Sequence, residues 1–151
     1  MRAVIQRVTS ASVTFKETAA TRSIERGIVV LLGVSPDDTE KDALWLASKI
    51  VDLRIFPNEA GKFDLSLRDI NGSALVVSQF TLYADCRRGK RPDFTQAARP
   101  ELAEILYEHF VEHLRDRTIT TETGQFAADM LVSINNDGPV TIILDSTKVL
   151  S

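Results

Sequence analysis

Arg2 to Phe15 alternates apolar and polar side chains and is rich in Val, Ser and Thr, whereas Gly27 to Val34 is almost wholly apolar. Neighbouring side chains of a strand point to opposite faces. The first pattern therefore predicts a half-buried strand and the second a strand covered on both faces, and the two are expected to pair. Between them Lys16 to Arg26 is polar and has no glycine for a tight two-residue hairpin, which predicts a longer loop.

Two helices follow from spacing. Asp37, Asp38 and Thr39 offer helix-starting side chains, and Ala43, Leu44, Ala47, Ile50 and Val51 recur at helical intervals, predicting a helix that ends near Asp52. Pro100 suits the first position of another, with Leu102, Ile105, Leu106, Phe110 and Leu114 as its apolar stripe. Leu53 to Phe56 reads as a short strand, and Pro57 to Gly61 and Asn71-Gly72 as turns. Ala74 to Tyr83 reads as a strand, with Thr118 to Thr123, Asp129 to Ile134 and Val140 to Leu144 as three closing strands. The elements do not alternate cleanly, so the expectation is one α/β domain with mixed, largely antiparallel sheet packed on two long helices.

In 151 residues, 44% hydrophobic content is ample for one sizeable core. No apolar run approaches the length of a bilayer span, and Met1-Arg2-Ala3-Val4-Ile5 leads into a strand pattern rather than a secretory signal, so a cytoplasmic protein with no membrane partner is expected. Cys86 is the single cysteine; Arg87 and Arg88 beside it favour a thiolate, but it is a weak nucleophile candidate. A net charge of -3 argues against a protein that coats nucleic acid. Arg87, Arg88, Lys90 and Arg91 nevertheless form a local basic loop, either a solvated turn or a grip on a few phosphates.

Two segments carry the candidate chemistry. Ser78-Gln79-Phe80-Thr81-Leu82 ends an apolar strand, where alternation would send Gln79 and Thr81 to one face, presenting an amide and a hydroxyl together. A threonine nucleophile needs a base, and no His or Lys lies near Thr81 in sequence. Asn136-Asp137-Gly138-Pro139 turns the chain tightly before Val140, and an X-Pro bond is the one kind that adopts cis cheaply.

Together with Gln6-Arg7-Val8 and Gly124-Gln125-Phe126-Ala127-Ala128-Asp129-Met130, these segments resemble the D-aminoacyl-tRNA deacylases, from Met1 to about Ser146. The resemblance implies a barrel-like domain over residues 1–146 and a homodimer with shared active sites; residues 147–151 lie beyond it and are expected to form a loose C-terminal tail. It implies that Ser78, Gln79, Phe80 and Thr81 line the pocket for the 3' end of aminoacyl-tRNA. There, amides around Phe80 and Thr81 would stabilise the oxyanion, and the tRNA's terminal 2'-hydroxyl would help to activate water. Gly138-Pro139 would be a cis pair entering the partner's pocket to capture the substrate amine and exclude L side chains while admitting D-aminoacyl groups and glycine. Arg7 would hold that turn, and Phe126 and Met130 match the pattern near the pocket. Arg87, Arg88, Lys90 and Arg91 would contact tRNA, and no metal or organic cofactor is implied.

Two other readings compete. His109-Phe110-Val111-Glu112-His113 matches the zinc-protease pattern H-x-x-E-H, but His109 and His113 fall in the predicted apolar stripe and no third ligand stands in a recognisable motif. An RNA-binding module using the basic loop would involve no chemistry, and it would not explain why the most specific segments are a polar strand end and a rigid turn.

Overall fold

In the computed structural model, which describes residues 1–150, β1 (Arg2–Phe15) runs antiparallel to β3 (Gly27–Gly33), from Arg2 opposite Gly33 to Val8 opposite Gly27. Burial on both faces of β3 has a simple cause: Ile28, Val30 and Leu32 enter a core shared with the helices, while Val29 enters a second core inside the curled sheet. β6 (Ser73–Ser78), parallel to β3, repeats the division, Ala74 and Val76 facing the helices and Leu75 and Val77 the interior.

Lys16–Arg26 is not one loop. It contains β2 (Thr21–Ile24), which continues the pairing along β1. The connection closes with Ala19 at φ 59° and its N–H on the Phe15 carbonyl at 2.8 Å. An alanine thus takes the left-handed position that glycine usually fills, at about 1–2 kcal/mol.

β4 (Phe56–Pro57) and β5 (Phe63–Leu65) make a separate ribbon, so only Phe56 of the expected strand Leu53–Phe56 is extended in a ladder. β7 (Thr120–Thr123) lies parallel to β6. The parallel connections pass through α1 (Glu40–Asp52), started by a Thr39/Asp42 capping box, and α2 (Pro100–Asp116), with Pro100 in its first turn. The stripe of α2 is displaced from the expected one: Ile105 is exposed, whereas Ala103, Tyr107 and Val111 are buried with Leu106, Phe110 and Leu114. Tyr107 belongs to the core because its hydroxyl donates to the Val76 carbonyl at 2.8 Å, and burial pushes that phenol up to about 12. Arg22 on β2 donates to the Thr123 carbonyl on β7 at 2.9 Å, joining the two ends of the strand path and leaving the sheet a nearly closed barrel.

The outer edge of β1 is covered by β8 (Met130–Asp145), one strand where two were expected. Between the pairs Gln6/Thr141 and Val8/Asn136, β1 contributes Arg7 alone and β8 contributes Asp137, Gly138, Pro139 and Val140. The Gly-Pro segment is therefore a large bulge within a strand. Leu131 and Ile143 on β8 are 59% and 68% exposed, and β8 pairs only with β1 among the described residues. Thr147–Leu150, expected as a loose tail, forms one helical turn, α3, opened by Thr147 donating to the Asp145 carboxylate; Ser151 lies outside the described residues. No described helix is long and apolar enough to cross a membrane.

Candidate active site

β6 ends at Ser78, and Phe80–Tyr83 is a 3-10 turn, so the expected strand Ala74–Tyr83 stops halfway. Close packing imposes the turn: a Cβ at Gly33 would meet the Leu82 Cβ at 3.1 Å and the Gln79 carbonyl at 3.2 Å, so β3 and the turn are pressed together. The Gln79 N–H donates to the Leu32 carbonyl at 2.8 Å, the last sheet-like bond before the chain winds. Strand alternation thus fails here, yet the turn still brings Gln79 and Thr81 together, the Gln79 amide donating to the Thr81 hydroxyl. As the first residues of a helical turn, Phe80 and Thr81 carry N–H groups that have no acceptor within it.

This turn forms one wall of a cleft of about 570 Å³. Ser78, Gln79 and Phe80 line it together with Phe126 and Met130, and Val34, Ala98 and Ala103 add apolar surface. Phe126 and Met130 are set by a turn in which Ala127 adopts φ 61° and the Ala128 N–H donates to the Gln125 carbonyl at 3.1 Å. A largely apolar cleft with a few polar groups at one wall suits a small organic moiety oriented by hydrogen bonds. Thr81, Arg7, Gly138 and Pro139 do not line it.

Arg7 lies in the β1–β8 bulge instead. It is buried, and it donates from Nε to the Asp137 carbonyl at 2.9 Å and from Nη1 to the Ile55 carbonyl at 2.7 Å, with the Asp137 carboxylate 3.7 Å from Nε. Asn136 replaces the ladder bonds that the bulge forfeits: its Oδ1 accepts from the Val140 N–H at 2.8 Å and its Nδ2 donates to the Val140 carbonyl at 3.2 Å. The Gly138-Pro139 bond is cis, both residues are exposed, and Gly138 sits at φ 142°, a value L side chains rarely adopt. The bulge is a braced projection into solvent, not a hairpin tip.

The basic loop is closed by Asp85 and Asp93, whose backbones exchange hydrogen bonds of 2.7 and 2.9 Å. Arg87 is forked onto the Asp85 carboxylate, which it holds down at about 2. Arg87, Arg88 and Arg91 share a second cleft with Asp85, Asp93, Thr95 and Gln96; Lys90 is exposed outside that lining. Cys86 is exposed beside it.

His109 and His113 face Glu40 of α1, with Nδ1 and Nε2 standing 4.0 and 3.9 Å from its carboxylate, beyond hydrogen-bond reach. Glu112 is exposed, and no group of three or more His, Cys, Asp or Glu among the described residues is arranged to hold a metal. Sequence reasoning missed Phe94, Ala98 and Ala103 as cleft residues, and it quoted Asp129 within the Gly124–Met130 segment without giving it a role. Only Phe94 left a signal, an aromatic residue just after a basic loop.

Residues 4–145 match the family model described as D-Tyr-tRNA(Tyr) deacylase. The chain is 58% identical over 149 residues to a D-aminoacyl-tRNA deacylase of Thermotoga petrophila, covering 99% of each chain. It is 57% identical over 148 residues to the protein of that name from Clostridioides difficile, covering 98% of this chain and 99% of the relative. Among solved structures it resembles the c-Myc DNA Unwinding Element Binding Protein, with a TM-score of 0.88 and 45% identity over 96% of this chain and 98% of the other. A probable eukaryotic D-amino acid tRNA deacylase shares the fold at a TM-score of 0.86 and 16% identity, over 95% and 98% of the chains.

Proposed function

The chain belongs to the D-Tyr-tRNA(Tyr) deacylase family, and we propose from that premise that it hydrolyses the ester joining a D-amino acid to the 3' end of tRNA. The observation that carries this reading is the cleft walled by the Ser78-Gln79-Phe80 turn and faced by Phe126 and Met130. Water adds to the ester carbonyl carbon, backbone amides of the turn around Phe80 receive the developing oxyanion, and the carbon–oxygen bond to the ribose then breaks, its oxygen taking a proton. An aminoacyl ester is already activated, so positioning and oxyanion stabilisation supply much of the rate. The tRNA's vicinal hydroxyl assists the water, which accounts for a Thr81 whose side-chain partner is an amide and not a base. No metal or organic cofactor enters this reading.

Chirality is read by a second copy of the chain. The Gly138-Pro139 bulge projects outward, is braced by Arg7 and Asn136, and does not line its own cleft, which suits a rigid probe for a partner's site. Its carbonyls capture the substrate amine and its main chain blocks an L side chain, while D side chains and glycine are admitted, so that glycine mischarged on tRNA is also cleared. The bare edge of β8 and exposed Leu131 and Ile143 support self-association as a homodimer. Arg87, Arg88, Lys90 and Arg91 hold phosphates near the acceptor end, and the enzyme proofreads charged tRNA in the cytoplasm, as one domain over residues 1–146.

The deciding experiment is deacylation of matched D-tyrosyl- and L-tyrosyl-tRNA, with and without a strong chelator. Chelator-resistant cleavage of the D ester alone is expected. Cleavage of neither would favour an RNA-binding module, and chelator-sensitive hydrolysis without chiral preference would return attention to His109, Glu112 and His113.

A further inference from the structure

Two phenylalanines stand where large apolar rings are seldom left: Phe80 is 55% and Phe94 37% exposed. Their centroids lie 5.0 Å apart with the planes at 69°, an edge-to-face contact in which both residues keep exposed surface. Both line the apolar cleft. Phe94 also directly follows Asp93, whose backbone pairing with Asp85 closes the basic loop, so a single residue step separates the arginine-lined cleft from the ring. Neither position is slack, because Phe80 opens the 3-10 turn pinned by Gln79 to Leu32 and the Phe94 carbonyl accepts the Ala97 N–H at 3.0 Å.

Arginines, an open aromatic pair and an apolar cleft thus follow one another across the surface. Readers of single-stranded nucleic acid combine the same parts, a positive groove for the backbone and rings on which bases stack with little regard to sequence. Resting on the deacylase reading, in which the cleft takes the aminoacylated terminal adenosine, we propose that Phe94, with Phe80 behind it, is a stacking subsite for the base of the preceding nucleotide. Phe94 is then a positioning residue that sets the angle at which the 3' strand enters. Stacking suits this place because the penultimate base must be held without being read.

The test compares wild type, Phe94→Ala and Phe94→Trp on D-tyrosyl-tRNA and on D-tyrosyl-adenosine, which lacks the preceding nucleotide. Phe94→Ala is expected to raise KM about tenfold more for the tRNA than for the adenosine ester, the factor equivalent to about 1.4 kcal/mol at the low end of base–aromatic stacking. Phe94→Trp is expected to restore the tRNA KM. Equal effects on both substrates, no effect on either, or loss without rescue by Trp would overturn the subsite. If wild type cleaves neither ester, the deacylase reading fails, and the subsite is judged separately with a 3'-CCA RNA hairpin carrying a fluorescent base analogue at the penultimate position. Quenching by wild type that disappears in Phe94→Ala supports stacking; quenching that persists refutes it.

Discussion

Replacing Arg7 by methionine keeps most of the buried stem and removes the guanidinium that joins the β8 bulge to the body of the domain. Ile55 is buried, so its carbonyl loses a charge-assisted bond of 2.7 Å with no water to replace it, at about 2 kcal/mol. The 2.9 Å bond to the Asp137 carbonyl faces partly exposed surroundings and adds about 1 kcal/mol. A total of about 3 kcal/mol corresponds to roughly 100-fold in the population of the anchored bulge if the loss is local. If it is felt globally, it lowers Tm by about 6–12 °C in a domain of this size. Thermal unfolding should be read beside kcat/KM on D- and L-tyrosyl-tRNA. The expected result is a folded protein with lower Tm, at least tenfold weaker D-ester turnover and a narrowed D-to-L ratio. Arg7→Lys should fall between, because an ammonium is a point donor and does not span both carbonyls. A folded Arg7→Met protein with an unchanged D-to-L ratio would refute the claim that the bulge must be braced to select.

Thr81→Ala is expected to retain substantial D-ester turnover if backbone amides and substrate carry the chemistry; complete loss with intact tRNA binding would restore a nucleophilic hydroxyl. Changing Arg87, Arg88, Lys90 and Arg91 to Ala should weaken tRNA binding and flatten its dependence on log salt by about 0.7 for each phosphate no longer neutralised, and an unaltered slope would make the loop a solvated turn. Ile143→Lys places a charge on the exposed face of β8 and should shift sedimentation toward monomer with loss of activity; an active monomer would contradict completion of the site by a second copy.

The doubly buried strand, its partner and both helices were legible because each rests on a local pattern: β3 on an apolar run, β1 on alternation, α1 on helix-starting side chains followed by an apolar stripe. What escaped rests on single residues. β2 hid because Ala19 takes a left-handed conformation without being glycine, and the stripe of α2 was misplaced because Tyr107 is buried by one hydrogen bond. The end of β6 could not be seen, since the 3-10 turn follows from the press of Leu82 and Gln79 against Gly33, a contact between segments far apart in sequence. β8 looked like two strands because Gly138-Pro139 has the composition of a loop, although Arg7 and Asn136 carry the ladder across it. In the candidate site, Ser78, Gln79, Phe80, Phe126 and Met130 come together in one cleft. The small residues of its lining, Ala98 and Ala103, carry no chemistry that a sequence can advertise.

A sixteen-residue strand with one side unpaired among the described residues is also a template on which further strands can polymerise. The four-residue bulge interrupts that template. Pro139 has no N–H to offer an incoming strand, and the segment juts out where a flat ladder would continue. An approaching strand meets two short, out-of-register stretches in place of one long zipper, so runaway cross-β growth is blocked at the same point on the chain that gives the edge its protrusion.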